Sequence, residues 1–215
     1  MAWTSATCVQ YVDGDPIGKL LAYASLLPFA YVLHAFLSFG CTCREVHGLL
    51  YLGGVLANEV ITQLLKQMLR EPRPLASCVQ LGVCESHGMP SSHTSLAFYV
   101  MLSRLILLCR YPKQKSVPTL VVGALEVAAL LLGAAMVAQS RVYLGYHTLG
   151  QVLAGAAVGC LNALLCFAVI YRTSPAFPLA ASSRLGALLH LRDTWNVPDP
   201  VAADSIAYHN GKKRQ

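Results

Sequence analysis

Residues 140–151, SRVYLGYHTLGQ, place an arginine and a histidine six residues apart between two long apolar runs. An arginine fork holds phosphate oxygens through paired hydrogen bonds, and a neutral imidazole is a competent nucleophile. Arginine and histidine near a helix end also commonly contact lipid headgroups or carbonyls, so this segment alone leaves both interpretations open. Two further stretches, KQMLREPRP at residues 66–74 and PSSH at residues 90–93, favour a phosphate site.

The composition indicates a membrane protein with several spans. Of the 215 residues, 55% are apolar and 12% are charged, about half the usual charged share of a soluble domain. The mean hydropathy is +0.53, and the apolar runs approach the roughly 20 residues that cross a bilayer. The net charge of +6 comes largely from short loops and the tail, where basic residues set orientation. The sequence therefore predicts a lipid bilayer, and no nucleic acid, as the partner.

Hydrophobic segmentation predicts an all-α transmembrane helical bundle with five spans, at residues 19–39, 48–69, 92–110, 119–139 and 148–171. Residues 1–18 form a polar N-terminal segment, residues 19–171 the transmembrane domain, and residues 172–215 an interfacial amphipathic segment followed by a polar tail. Glu126 is isolated in the fourth span, which favours a helix–helix contact over a catalytic acid. Gly155 and Gly159 in the fifth span have the spacing that allows close helix packing.

The loop charges predict the orientation of the bundle. With five spans, Arg44, Arg110, Arg172 and the basic tail fall on one side, which the positive-inside rule makes cytosolic. The stretches at residues 66–74, 90–93 and 140–151 then all fall on the opposite side. Cys78 and Cys84 share a loop there, and they either pair in an oxidising compartment or remain free thiols.

Three cations and two histidines converge on that predicted face. The candidate phosphate ligands are basic side chains and the serines that open the third span: Lys66, Arg73, Arg141, Ser91 and Ser92. Backbone N–H groups at a helix start also attract anions. The sequence has neither a carboxylate cluster nor an HExxH pattern, so it predicts no metal site. These groups favour metal-free phosphoryl transfer, in which one histidine attacks phosphorus and the other protonates the leaving oxygen.

The three stretches, K-x6-RP, PSSH and SR-x5-H, resemble the signatures of the type 2 phosphatidic acid phosphatase superfamily in order and spacing. The resemblance implies a helical bundle, a phosphohistidine intermediate on His147 and protonation of the leaving group by His93. It assigns phosphate binding to the five ligands named above and implies neither a metal nor another cofactor.

The segments LLAYASLLPF (20–29), GMPSSH (88–93), SRVYLGYHTLGQ and LRDT (191–194) are similar to the dolichyldiphosphatase branch of that superfamily. The similarity covers most of the chain, thinning before residue 10 and after residue 196. It implies a hydrolase that converts dolichyl diphosphate into dolichyl phosphate and inorganic phosphate. Such an enzyme recycles the lipid carrier for protein N-glycosylation in the endoplasmic reticulum.

Two features depart from the broad family. Gln151 lies four residues after His147, where the family usually has aspartate. Its amide oxygen is predicted to accept the His147 Nδ1–H and fix the tautomer, without the charge that would stabilise an imidazolium. The chain also has five predicted spans where much of the superfamily has six. Two alternatives stay open: a broader phosphatase of phosphatidate or other isoprenyl diphosphates, and a non-catalytic lipid-binding relative, which Gln151 motivates.

The C-terminus carries lysines at positions 212 and 213, the fourth and third from the end. This pattern resembles the dilysine retrieval signal of endoplasmic reticulum membrane proteins, which is read from the cytosol. The alternative is a solvated basic tail near anionic lipid. Together with the loop charges, the tail predicts an endoplasmic reticulum membrane protein with a cytosolic C-terminus and a lumenal active site.

Overall fold

The computed structural model describes residues 3–6, 9–75, 79, 81–82, 84–110 and 117–197. Its first elements are two short antiparallel strands, β1 (Trp3–Ala6) and β2 (Val9–Val12), with the backbone of Thr4 opposite Tyr11. This hairpin differs from the prediction for residues 1–18, which was only a polar segment. Four-residue strands are too short to leave a clear alternating pattern.

The first span is an interrupted helix. It begins with α1 (Pro16–Ala24), where the Asp15 side chain accepts a 2.9 Å hydrogen bond from the Gly18 N–H. After a break at residues 25 and 26 the chain continues as α2 (Leu27–Ala35) and a π-helical stretch, Phe36–Cys43. Pro28 lies just after the break, where its missing N–H prevents a continuous hydrogen-bond ladder.

Four longer helices complete the spans: α3 (Val46–Leu69), α4 (Ser92–Arg110), α5 (Val117–Tyr143) and α6 (Leu149–Thr173). With the first span, the described chain has five helical segments long and apolar enough to cross a membrane. The predicted five-span, all-α bundle is therefore confirmed. Most boundaries agree to within three residues, but α5 continues to Tyr143, so Arg141 lies on its last helical turn and not in a loop.

Helix α4 lies at the centre of the bundle and packs against α3, α5 and α6. Its closest partner is α6, because Gly155 and Gly159 present no side chain to it. A Cβ atom on Gly155 would lie 2.6 Å from the Ser91 carbonyl oxygen. The predicted close packing at these glycines is thus confirmed. Leucines on the outer faces, such as Leu132 and Leu153, are about 60% exposed, as lipid-facing side chains are.

Two polar contacts also join α4 to its neighbouring helices, at different positions along its axis. Arg104 of α4 forms a 2.6 Å ion pair with Glu126 of α5, which confirms the helix–helix contact predicted for Glu126. In the buried core between α3 and α4, the hydroxyl of Tyr99 donates a 2.8 Å hydrogen bond to the Tyr51 carbonyl. These contacts fix the rotation of α4 relative to its neighbours.

The chain after α6 folds back onto the end of the bundle where α3 begins. It forms a 3₁₀ turn (Ser174–Ala176) and the short helices α7 (Phe177–Ser182) and α8 (Arg184–Leu188). The Arg192 carbonyl then accepts a 3.0 Å hydrogen bond from the Val46 N–H. Trp195 is 1% exposed beneath the guanidinium of Arg110, 4.1 Å from its ring centroid. The LRDT segment, residues 191–194, is therefore part of the folded bundle.

Two sequence predictions concern residues outside the described ranges. The dilysine pattern at residues 212 and 213 is one of them, and Cys78 is the other. Cys84 is described and is disulfide-bonded.

Candidate active site

The predicted site lies at one end of the bundle, where α3 and α5 end and α4 and α6 begin. His147 occupies the tight connection between α5 and α6 and is 4% exposed. Gly145 turns the chain there with φ +75°, a left-handed conformation that glycine adopts without strain. The His147 N–H donates a 3.0 Å hydrogen bond to the Arg141 carbonyl. This bond holds the backbone of His147 against the end of α5.

Gln151 orients the His147 ring. The Gln151 Nε2 donates to the Glu71 carboxylate at 2.9 Å and to the Pro72 carbonyl at 2.8 Å, so its Oε1 must face the other way. That Oε1 lies 3.1 Å from His147 Nδ1 and also accepts a 3.3 Å hydrogen bond from the Thr148 N–H. An amide oxygen only accepts, so Nδ1 carries the proton and Nε2 presents a lone pair.

The same glutamine starts the helix that holds it. The Thr148 side chain caps α6 by accepting from the Gln151 N–H at 3.3 Å, and the Gln151 side chain returns a bond to the Thr148 N–H. This reciprocal pair is a capping box. Gly88 gives the Gln151 side chain its space, since a Cβ atom there would lie 2.5 Å from both amide atoms. Ring orientation and helix start therefore depend on one side chain.

Arg73 contacts the face of His147 that carries the lone pair. Its Nη1 donates to the Tyr146 carbonyl at 2.8 Å and lies 3.1 Å from His147 Nε2. Its Nε donates to Ser86 Oγ at 2.8 Å. The guanidinium thus lies beside the nitrogen predicted to be the nucleophile, where it would also contact a phosphoryl group bound there.

Burial and the positive charge around His147 keep its ring neutral. Burial lowers the pKa of His147 to about 3, and the nearby Arg73 guanidinium is the next largest cause. Lys66 and Arg141 lower this pKa further, whereas the hydrogen bond to Gln151 raises it. The structure therefore gathers the three predicted cations around the predicted nucleophile, as the sequence reasoning required.

Arg141 is a buried cation whose guanidinium is not fully hydrogen-bonded within the described chain. It is 3% exposed, and its guanidinium stacks over the Tyr146 ring, 4.2 Å from the centroid. Among the described residues, its Nε and Nη2 have no hydrogen-bond partner. Buried donors without partners are costly, and an anion supplies the missing acceptors. The arrangement fits a bound phosphoryl group.

The serines at the start of α4 are placed differently from each other. Ser91 is fully buried, its N–H donates a 3.1 Å hydrogen bond to the Gln151 carbonyl, and its hydroxyl accepts from Thr94 at 3.1 Å. Ser92 brings a buried hydroxyl that has no hydrogen-bond partner within the described chain. Of the two predicted serine ligands, Ser92 is thus the one with an uncommitted hydroxyl.

His93 follows on the first turn of α4. Its ring meets the ring of Phe29 edge-on, with the centroids 5.1 Å apart. The hairpin and the α5–α6 connection also meet at this end, because the Gln10 N–H donates a 3.2 Å hydrogen bond to the Tyr146 hydroxyl. The second predicted histidine thus lies between an aromatic side chain of the first span and the cationic end of the bundle.

Glu71 is a site residue that sequence reasoning missed. It lies inside the K-x6-RP stretch, and that position was the available signal. Its partner Gln151 is eighty residues away, so no local pattern joins them. Within the described ranges, no group of three or more His, Cys, Asp or Glu side chains is arranged to hold a metal ion.

Chemically, this arrangement presents a neutral imidazole with a defined lone pair, surrounded by three cations and buried donors. Such a site is chemically suited to bind a phosphoryl group and to stabilise negative charge on its oxygens. A second imidazole, that of His93, lies at the same end of the bundle.

Comparison with known proteins agrees with this geometry. The profile of the PAP2 superfamily matches residues 47–175. A lipid phosphate phosphatase gamma from Arabidopsis thaliana is 33% identical over 200 residues, covering 90% of this chain and 84% of its own. Dolichyldiphosphatase 1 from Homo sapiens is 36% identical over 197 residues, covering 90% and 82%. The Saccharomyces cerevisiae dolichyldiphosphatase is 30% identical over 196 residues, covering 89% and 80%.

A solved structure has the same fold. The transmembrane PAP2-type phosphatidylglycerolphosphate phosphatase from Bacillus subtilis superposes with a TM-score of 0.59 at 21% identity, covering 74% of this chain and 80% of that one. The similarities to the superfamily and to dolichyldiphosphatases that the sequence motifs suggested are thus confirmed.

Proposed function

The chain belongs to the PAP2 superfamily, and from that membership we propose that it is a membrane lipid diphosphatase acting on dolichyl diphosphate. Its products would be dolichyl phosphate and inorganic phosphate, and the reaction would recycle the carrier for protein N-glycosylation. The observation that carries the proposal is the position of His147 Nε2, 3.1 Å from Arg73 Nη1, with Nδ1 held by Gln151. A lone pair aimed among cations is suited to attack on phosphorus.

The first half-reaction transfers the terminal phosphoryl group to the protein. His147 Nε2 attacks the terminal phosphorus, forming a nitrogen–phosphorus bond as the bond to the bridging oxygen breaks. His93 donates a proton to that oxygen, which leaves as dolichyl phosphate. The Nδ1 proton of His147 stays on the ring, held by Gln151.

The second half-reaction releases inorganic phosphate. His93, now neutral, takes a proton from a water molecule that attacks the phosphohistidine. The nitrogen–phosphorus bond breaks, and its electron pair returns to His147 Nε2. The sum is one diphosphate and one water converted to two monophosphates, with both histidines restored.

Cationic and hydroxyl side chains hold the phosphoryl oxygens in both steps. The proposed phosphate ligands are the residues named from the sequence: Lys66, Arg73, Ser91, Ser92 and Arg141. On this proposal the Arg73 Nη1 turns from His147 Nε2 to a phosphoryl oxygen as substrate binds. Three fixed cations supply the charge stabilisation that a metal gives other phosphatases, so we propose a metal-independent reaction without a cofactor.

Glu71 enters this proposal as a positioning residue. Its carboxylate holds the Gln151 amide, and Gln151 in turn holds His147 Nδ1. As Nε2 bonds to phosphorus, the ring gains positive charge that the neutral Gln151 does not offset. The Glu71 carboxylate, one hydrogen bond further away, offers negative charge on that side of the ring.

We place the protein in the endoplasmic reticulum membrane, with its site in the lumen and its C-terminus in the cytosol. Arg44, Arg110 and Arg172 belong to the end of the bundle opposite the site, which the positive-inside rule makes cytosolic. The disulfide-bonded Cys84 belongs to the loop at the site end, which fits an oxidising compartment.

A second candidate is a broader lipid phosphatase, which the similarity to a protein named lipid phosphate phosphatase favours. Purified protein assayed on dolichyl diphosphate, farnesyl diphosphate and phosphatidate separates the two. We expect phosphate release from dolichyl diphosphate in EDTA and none from the His147→Ala variant. Preference for phosphatidate would favour the broader enzyme, and inactivity on all three substrates would contradict both.

A further inference from the structure

A groove of about 420 Å³ runs along the bundle beside the candidate active site. Its two walls are α2 and α5, which both pack on α4, and α4 forms its floor. The lining is apolar apart from three side chains, Tyr31, His34 and Glu126. Its volume lies within the range of about 300–1,000 Å³ that small-molecule sites have.

One end of the groove adjoins the candidate site. Ala97 of its floor lies one turn after His93, and Val137 of its wall lies one turn before Arg141. On α2, the lining residue Pro28 precedes Phe29, whose ring contacts the His93 ring at 5.1 Å. A ligand with its phosphoryl group at His147 therefore has an apolar path directly beside it.

The other end of the groove lies at the ion pair between Arg104 and Glu126. Arg104, which pairs with Glu126, lies eleven positions after His93, and Val137 lies eleven positions after Glu126. At 1.5 Å per helical residue, both distances are about 16 Å along the bundle. An extended isoprene unit advances by four carbon–carbon bonds of about 1.5 Å each in a zigzag, so roughly three units span this length.

We propose that this groove binds the first three isoprene units of a polyprenyl diphosphate, and that the Arg104–Glu126 pair ends it. The proposal rests on the proposed diphosphatase function and adds how its lipid is held. A groove of about 420 Å³ suits three units of one branched chain, whereas phosphatidate carries two acyl chains. Beyond the third unit, an apolar chain meets an ion pair whose desolvation is costly, so it turns out into the bilayer.

Gly133 of α5 offers the sharpest test, because it lines the groove. A Cβ atom on Gly133 would meet only Leu27 Cδ1, 3.9 Å away, so the space over Gly133 is the groove itself. We expect Gly133→Phe to fill it and lower kcat/KM for farnesyl diphosphate at least tenfold. Inhibition by vanadate, which occupies only the phosphoryl site, should change less than twofold, which also shows that the variant is folded.

Gly123 provides the matched control on the same helix. A Cβ atom there meets nothing within 4 Å, and the residue does not line the groove. Gly123→Phe should leave both kcat/KM and vanadate inhibition unchanged. Equal losses in the two variants, or no loss in Gly133→Phe, would overturn the proposal.

A chain-length series tests where the groove ends. With geranyl, farnesyl, geranylgeranyl and longer polyprenyl diphosphates, kcat/KM should rise to the third unit and then level off. Replacing the pair, Arg104→Met with Glu126→Leu, should move the plateau to longer chains. An unchanged plateau would overturn the role of the ion pair. Hydrolysis with no dependence on length would overturn the groove alone, whereas no hydrolysis of any diphosphate would overturn the proposed function.

Discussion

The side-chain amide of Gln151 donates a 2.9 Å hydrogen bond to the carboxylate of Glu71, eighty residues earlier in the chain. This bond turns the Gln151 oxygen toward His147 Nδ1, 3.1 Å away. The neutral Gln151 is therefore backed by a carboxylate from the segment that follows α3. Several consequences of this arrangement are measurable.

Gln151→Leu should lower kcat by about 10²- to 10⁴-fold with little change in KM. Leucine keeps the size of the side chain but offers no acceptor to Nδ1, so the ring can take the unreactive tautomer; in serine proteases a comparable tautomer error costs about 10⁴-fold. Initial rates with dolichyl diphosphate measure the effect. A leucine variant as active as the parent would mean that Gln151 serves packing only.

Glu71→Ala should reduce kcat by about tenfold or more, because it leaves the buried Gln151 amide without one of its acceptors. Glu71→Gln keeps an acceptor and removes the charge, so its rate should lie between those of the parent and the alanine variant. Nitrogen-15 spectra of His147 would report its tautomer in each. Identical spectra and rates in all three proteins would exclude a positioning role.

The effect of Gln151→Asp on activity should depend on Glu71. From the sequence alone this substitution is expected to keep activity within about tenfold or improve it. The structure brings the Glu71 carboxylate to the same point, where two like charges repel. We therefore expect Gln151→Asp to be more active with Glu71→Gln than without it. Additive effects of the two substitutions on kcat would contradict this coupling.

His147→Ala should abolish turnover, and His93→Ala should slow dolichyl diphosphate hydrolysis by about 10²- to 10⁴-fold, the usual contribution of a general acid. The His93→Ala loss should shrink with p-nitrophenyl phosphate, whose leaving group needs no proton. Trapping the phosphoenzyme and mapping its label would test the division of labour. A label on any residue other than His147 would refute it.

The His147 ring should stay neutral from pH 8 to pH 5 in the free protein. Burial and the Arg73 guanidinium lower its pKa to about 3, so the proton binds only as the pH falls toward that value. Arg73→Met should raise this pKa while leaving it below 6.5, since burial is the larger cause. Histidine NMR without substrate measures both, because a phosphate monoester titrates near pH 6 itself. A His147 titration centred near 6.5 in the parent would contradict the site.

Sealed microsomes test the orientation. Added protease should remove a C-terminal tag and leave residues 70–90 uncut, because these flank the proposed lumenal site. Detergent should make both accessible. A protected tag in sealed vesicles would reverse the topology.

The sequence was informative wherever a local pattern carried the structure. Hydrophobic runs predicted five spans, and the stretches around Arg73, His93 and His147 identified the end of the bundle where the site lies. The predicted loop at residues 140–143 proved helical, because polarity at a membrane surface does not by itself stop a helix. The interrupted first span was also missed, since Pro28 is compatible with both a kink and a break.

Long-range polar contacts were beyond sequence reasoning. Glu71 contacts Gln151 because α3 ends where α6 begins, and nothing in the spacing of these two residues predicts that contact. The different placements of Ser91 and Ser92 follow likewise from Gly155, which lets α6 approach the start of α4. Such contacts depend on three-dimensional packing and not on the period of a helix.

The Ser91 N–H donates a 3.1 Å hydrogen bond to the Gln151 carbonyl, so this contact forms only after the segment containing Gln151 has been synthesised. Ribosomes synthesise the segment containing Gln151 after the first four spans, so a nascent chain carries its cations and His93 before it carries His147, the proposed nucleophile. A protein truncated ahead of residue 147 would insert much of the bundle into the membrane and have no enzymatic activity. On the proposed function, a premature stop codon anywhere ahead of residue 147 should therefore abolish activity as completely as a stop near the start of the coding sequence.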